Sequence, residues 1–156
     1  MANQDDLDKI DRKLLQVLAR DGRVAWSELA EQIGLSLTPT LRRVRQLEEA
    51  GYIQGYVAQL DEGKLAGRVC VFVAVTLSSQ AEDAIQRFEE QIALAPEVMS
   101  CFLMTGDADY TLRVVVPDLD TYHRFLTRTL TRIPGVAHIK SSFALKTVLM
   151  RPSPLL

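Results

Sequence analysis

The chain of 156 residues predicts an α+β protein in two parts, a helix-turn-helix unit followed by a ferredoxin-like βαββαβ sandwich. Three observations carry this. Between Ser27 and Leu47 two short apolar periodicities of helical spacing flank a tight turn, and the second carries Arg42, Arg43 and Arg45 with no acid. After Gly67 the pattern changes to the order strand, helix, strand, strand, helix, strand. In the first of those strands apolar residues occupy both faces, which marks a sheet with neither side left to water.

The elements follow in order. Leu7, Ile10, Leu14, Leu15 and Leu18 recur at helical spacing, with Asp8 and Asp11 placed where a helix N-terminus favours negative charge, so residues 7–20 form a first helix ended at Asp21-Gly22. Leu29, Ala30 and Ile33 give the next helix one apolar face, and Gly34 supplies its left-handed stop. Ser36 is the expected N-cap of the helix that follows, and Pro39 falls in its first turn, where a missing N–H costs little. Leu37, Leu41, Val44 and Leu47 are read as its inward stripe. YIQGYVAQL, residues 52–60, has strand composition broken by Gly55, and fits either a wing hairpin or a plain connecting strand. Some sixty residues bury little core alone, so this unit (1–60) leans on something else. DEGKLAG, residues 61–67, is the linker.

The second unit, 68–156, begins with a strand over 68–77. A helix over 82–95 turns Ile85, Phe88 and Ile92 inward, and strands over 98–105 and 110–116 flank the loop Gly106-Asp107-Ala108-Asp109. A helix over 119–132, with Leu119, Tyr122, Leu126 and Leu130 inward, stops at Pro134-Gly135, and 136–149 is extended. In the first strand Val69, Val71, Val73 and Val75 face one way while Cys70, Phe72 and Ala74 face the other. Two helices cover one face only, so the other calls for a second subunit, which is also what a helix-turn-helix needs to read paired half-sites.

Composition narrows the function classes. Apolar content of 47% and charge of 24% are those of a soluble globular protein, and a net charge of −2 confines any nucleic-acid contact to a local patch. The acidic start MANQDDLDKID is no targeting peptide, and the longest apolar run, Val69 to Val75, is too short for a bilayer. Cys70 and Cys101 lie in strands and read as reduced core residues of a cytoplasmic protein. His123 and His138 stand apart from any ligand spacing, so neither a metal nor a cofactor is expected.

The motifs LDKIDRKLLQVLARDGR, LSLTPTLRRVRQLEEAGYIQGYVAQLD, TGDADYTLRVVVPD and RIPGV, in this order and spacing, resemble the Lrp/AsnC ("feast or famine") family of transcription regulators over nearly the whole chain. The resemblance implies a winged-type DNA-binding domain joined to an amino-acid-sensing (RAM) sandwich, in homodimers that assemble to octamers. One departure is Leu37, where close relatives often carry proline.

On the second helix of the motif, Ser36, Thr38, Thr40, Arg42, Arg43, Arg45 and Gln46 are the candidate contacts to double-stranded DNA, although Thr40 also fits an inward position. Arginine offers guanine a bidentate fork, and serine and threonine suit phosphates. Leu103, Met104, Thr105, Gly106, Asp107 and Asp109 are the candidate effector contacts, for an apolar amino acid such as leucine or methionine. Turn N–H groups can hold its carboxylate and an aspartate its ammonium. Gly-Asp-x-Asp is equally good hairpin-turn chemistry with no ligand at all. The competing class is a small-molecule module or an enzyme using Asp107 and Asp109 as an acid–base pair, for which no nucleophile, phosphate loop or metal cluster is in sequence nearby. Arg124, Arg128 and Arg132 form a stripe that reads as a solvated face or as a further DNA contact.

Overall fold

The structure, a computed structural model, describes residues 7–154. The described residues divide into two units, one of residues 7–59 with 149–154, the other of residues 60–148.

In the first unit α1 (Lys9–Arg20), α2 (Trp26–Ile33) and α3 (Leu37–Glu49) enclose a core of Leu14, Leu15, Leu18, Leu29, Ile33, Val44 and Leu47. Asp8 starts α1 as one half of a capping box. Its side chain accepts from the N–H groups of Ile10 and Asp11 at 2.8 and 2.7 Å, while the Asp11 carboxylate reaches back to the Asp8 N–H at 3.4 Å. The inward stripe of α3 is displaced from its sequence reading. Thr40, Val44 and Leu47 are buried, and Leu37 at the first position of the helix is 45% exposed. The expected side-chain cap by Ser36 does not form. Its carbonyl instead receives the Thr40 N–H at 3.3 Å and the Thr40 hydroxyl at 2.9 Å. Residues 149–154 continue the second unit in sequence but pack with the first, where Arg151, Pro152 and Pro154 face Gln16, Ala19 and Arg20 of α1.

The trailing strand expected over residues 52–60 is absent. Tyr52 and Ile53 send their N–H groups back to the Leu47 carbonyl at the end of α3, and residues 54–60 form no regular secondary structure. A strand needs a neighbour, and among the described residues none lies beside this one, so Val57 is left 94% exposed.

The second unit opens with a short helix α4 (Glu62–Leu65), within what the sequence presents as linker. Four strands follow, β1 (Val69–Leu77), β2 (Val98–Leu103), β3 (Tyr110–Val116) and β4 (Val136–Phe143), all antiparallel in the order β2-β3-β1-β4. Helices α5 (Glu82–Ala93) and α6 (Leu119–Arg128), the latter extended by a 3-10 turn at Leu130–Arg132, pack on one face. That face buries Val71, Val73 and Val75 against Leu112, Val114, Phe88, Ile92, Tyr122 and Phe125, each worth about 1.5–3 kcal/mol. Leu119, read as inward, is 62% exposed at the first turn of α6, and Phe125 takes the buried position. The other sheet face carries Phe72 and Phe102, 44% and 58% exposed. Only part of it is engaged, where Arg113 of β3 donates to both carboxylate oxygens of Glu62 on α4. Cys70 is half-buried and Cys101 lies exposed on the edge strand β2, which removes Cys101 from the core.

Gly67 closes α4 with φ +120°, its N–H on the Glu62 carbonyl at 3.0 Å, and its α-carbon faces Pro117 and the Val116 carbonyl so closely that a Cβ would overlap both. Gly67→Ala should therefore destabilise the second unit by roughly 1–3 kcal/mol through overpacking, with added strain from the left-handed backbone. Urea unfolding followed by Trp-independent far-UV dichroism measures this, and an unchanged midpoint contradicts the close approach.

Candidate nucleic-acid interface and effector loop

Helix α3 presents Thr38, Arg42, Arg45 and Gln46 to solvent, and these four line one open hollow with Leu41 and Glu49. Successive arginines at 42 and 45 fall on one face because three residues make nearly one helical turn. Ser36, with its hydroxyl unused as a cap, is exposed just before the helix. These five of the seven residues expected at a DNA surface are brought together and are free to touch a ligand.

The other two are corrected. Thr40 is fully buried and its hydroxyl is spent on the Ser36 carbonyl, so it packs α3 inward and reads nothing. Arg43 is three-quarters buried, and its Nη1 donates to Asp8 Oδ2 and Asp11 Oδ1, each at 2.8 Å. It bolts α3 to the start of α1 instead of reaching outward. Backbone hydrogen bonding from Asp11, reinforced by the Arg43 guanidinium, holds the Asp8 carboxyl below its usual range, and the two carboxylates raise the Arg43 guanidinium further. Asp8 and Asp11 had a sufficient local reading as helix-start charges, so their second role across the fold had no signal in sequence.

The loop after β2 is a turn held from outside. Asp109 has a structural role in the turn, since its Oδ2 accepts from the Leu77 N–H at 2.7 Å and its Oδ1 from Gln80 Nε2 at 2.8 Å. Its N–H also bonds the Val75 carbonyl at 3.0 Å, and its carbonyl receives the Met104 N–H at 2.8 Å. Asp107, by contrast, is exposed, and only its carbonyl is engaged, by the Thr76 hydroxyl at 3.5 Å. Gly106 has φ +127°, a backbone conformation that side chains with a Cβ rarely adopt, and no described residue lies within 4 Å of where a Cβ would stand. Thr105 and Met104 are exposed beside it.

Leu103 points the other way, into a groove of about 320 Å³ between α5 and β2 that Glu89, Ile92, Met99, Cys101 and Tyr110 also line. Tyr110 is 1% exposed, stacks on Phe88 with ring centroids 4.6 Å apart, and donates to Glu89 Oε1 at 2.8 Å. Burial first, and the bond to Glu89 second, raise its phenol well above the ordinary range. Burial likewise pushes the Cys101 thiol up. Gln80 and Glu89, which hold the two ends of this region, escaped the sequence reading because each is one polar residue among several on a surface helix or loop. Among the described residues no three potential metal ligands gather, and no helix is long and apolar enough to cross a membrane.

Comparison with known proteins agrees with both halves of this geometry. Residues 7–54 match a family profile described as winged helix-turn-helix DNA-binding, and residues 70–154 match one described as the Lrp/AsnC ligand binding domain. The chain is 64% identical to the Bkd operon transcriptional regulator of Pseudomonas aeruginosa, over 96% of this chain and 97% of that one. It is 42% identical to the leucine-responsive regulatory protein of Escherichia coli K12, over 92% and 87%. Among solved structures, the Neisseria meningitidis transcriptional regulator NMB0573 in complex with L-Met superposes with a TM-score of 0.90 at 38% identity, covering 95% of this chain and 96% of that one.

The ion pairs of Arg43 give a pH-dependent prediction. The Asp8 carboxyl is depressed in the folded chain, so its contribution is present above its unfolded pKa and is lost as pH falls through the lower folded value. Arg43→Ala should cost about 1 kcal/mol near pH 7, a modest figure because the pairs are partly exposed, and the gap to the parent chain should begin to narrow as pH falls below about 4. Thermal melts across pH 3–7 read both, and a gap independent of pH rejects the ionic contribution.

Proposed function

The chain belongs to the Lrp/AsnC family of transcriptional regulators, and from that premise we propose how its own residues divide the work. It is a DNA-binding regulator with an amino-acid-binding domain and not an enzyme. Within it, α3 enters the major groove with Arg42, Arg45, Gln46 and Thr38, and Ser36 meets the backbone at the helix start. The observation that carries this is the outward face of α3, where four hydrogen-bonding side chains converge while Thr40 and Arg43 hold the helix from behind. Arg43 is thereby a positioning residue.

The effector is an apolar amino acid of the leucine or methionine class. Its support is twofold: relatives are named leucine-responsive or were solved with L-Met, and the loop at Thr105–Asp109 lies beside exposed Met104, with Leu103 opening into the adjacent groove. Asp107 is the carboxylate placed to pair with the ammonium, and the turn N–H groups around Gly106 face the carboxylate. Asp109 and Gln80 keep that loop in shape. An acid–base pair of Asp107 and Asp109 is not retained, because the family to which the chain belongs consists of transcriptional regulators.

A homodimer formed through the exposed Phe72 and Phe102 sheet face, associating further toward an octamer, would supply the paired α3 helices that half-sites require. The effector then acts by binding one assembly more tightly than another, which is the only way occupancy at a remote loop can shift DNA affinity.

Two measurements test the division. In DNA binding by fluorescence anisotropy, Arg45→Ala should cost about 1–3 kcal/mol and relax preference at one base position, as should Arg42→Ala at another. Wild-type affinity in the double variant would remove α3 from the interface. In calorimetry with leucine and methionine, Asp107→Asn should lose about 1.5–3 kcal/mol of affinity with an unchanged melting temperature. Asp109→Asn should instead lower the melting temperature, because an amide NH2 would confront the Leu77 or Gln80 donor. Equal affinity in Asp107→Asn and the parent chain would place the ammonium elsewhere.

A further inference from the structure

The outward face of α6 bears His123, Arg124 and Arg128, and the 3-10 turn beyond it bears Arg132, all exposed. Arg124 donates to the Thr121 hydroxyl at 2.7 Å, whereas among the described residues no carboxylate lies within ion-pair distance of Arg128 or Arg132. The Thr127 and Thr131 hydroxyls turn back onto the carbonyls of His123 and Thr127 at 2.8 and 3.3 Å, which leaves the guanidinium groups as the donors of this face. The acids of α6, Asp120 and the N-cap Asp118, stand at its first turn, away from Arg128 and Arg132, and α5 is mainly acidic. On α5 stand Glu82, Asp83, Glu89 and Glu90, and its one arginine, Arg87, is spent on Asp83.

What such a stripe fits is decided by what it lacks. A protein interface is built around an apolar centre. Along α6 and the 3-10 turn only Leu119, in the first turn, is a large exposed apolar side chain, and it stands away from Arg128 and Arg132. A nucleic-acid backbone needs no apolar centre, since phosphate contacts are cationic, polar and wet. The spacing also suits it. From 124 to 132 the stripe extends roughly 12–14 Å, α6 rising about 1.5 Å per residue to Arg128 and the 3-10 turn about 2 Å per residue beyond it. One DNA strand places a phosphate about every 3.4 Å of axis, so the stripe meets roughly three or four of them.

We propose that the Arg124–Arg128–Arg132 stripe is a second, sequence-independent DNA-backbone surface, carried by the sensing unit and engaging duplex outside the segment read by α3. The proposal rests on the reading of the chain as a DNA-binding regulator. It means that part of the affinity for long DNA comes from a domain with no helix-turn-helix, and that this part grows with flanking length and not with operator sequence.

The test uses the full chain and the double variant Arg128→Gln/Arg132→Gln, with Arg128→Lys/Arg132→Lys as the charge-conserving control. Affinity is measured against KCl concentration on a short duplex trimmed to the footprinted operator and on a longer duplex with flanks on both sides. The glutamine variant is expected to bind the short duplex like the parent chain. On the long duplex its log–log salt slope should fall by about 1.8, at about 0.9 per phosphate contact, with loss of flanking protection in the footprint, while the lysine variant keeps both. Identical slopes and footprints for parent and glutamine variant on the long duplex overturn the proposal. So does a fall in assembly mass by light scattering accompanied by weaker binding to both duplexes, since the stripe would then be a protein–protein contact. A parent chain that binds neither duplex would overturn the regulator reading itself, and this proposal with it.

Discussion

A four-stranded sheet with two helices has one face that those helices cannot reach, and much of this molecule follows from that constraint. α5 and α6 close over Val71, Val73, Val75, Leu112 and Val114, which leaves Phe72 and Phe102 on the far side with water as their neighbour. The chain relieves a small part of this itself, through the Glu62–Arg113 pair and the buried Val115. The remainder stays exposed apolar area, at a cost of about 25 cal/mol per Å² left in water. Residues 54–60 likewise carry no ladder hydrogen bonds among the described residues, and Val57 is left exposed.

The first unit solves a different problem, that of aiming one helix. The aim of α3 is set from its hidden side. Thr40 packs with its hydroxyl satisfied by the Ser36 carbonyl, Val44 and Leu47 enter the core, and Arg43 draws the helix to Asp8 and Asp11. Asp8 thus has two duties, capping α1 and anchoring α3, and Asp11 shares both. The orientation of the exposed face of α3 therefore depends on this rear attachment.

Much of the architecture was legible in the residues. The strands β1 and β3 follow from apolar, β-branched runs bounded by turn residues, and the inward sets of α1 and α5 follow from helical spacing. What was not legible depended on partners distant in sequence. Arg43 and Arg42 look alike on paper, and only the arrival of Asp8 and Asp11 separates a bolt from a reader. Asp107 and Asp109 are likewise indistinguishable in Gly-Asp-Ala-Asp until Leu77 and Gln80 claim one of them. The stripe of α3 was misread by one position because leucine at 37 outweighs threonine at 40 in apolarity, whereas the fold satisfies the threonine hydroxyl internally and buries it. The missing strand at 52–60 has the composition of one; composition does not provide the neighbour.

Sequence and space draw the boundary between the two units differently. Residues 62–67 look like a tether yet belong to the sensing unit, fixed by Glu62 on Arg113 and by the tight seat of Gly67 against Pro117. Residues 149–154 extend the sensing unit in sequence yet lie along α1. A chimaera that grafts another regulator's DNA-reading part onto this sensor should therefore be spliced upstream of Asp61, and it should carry the donor's own last residues as well. Joined at the apparent linker with the native tail retained, it would combine a misfitted α4 with a tail docked on a foreign helix, and signalling between the grafted parts would suffer before either part unfolded.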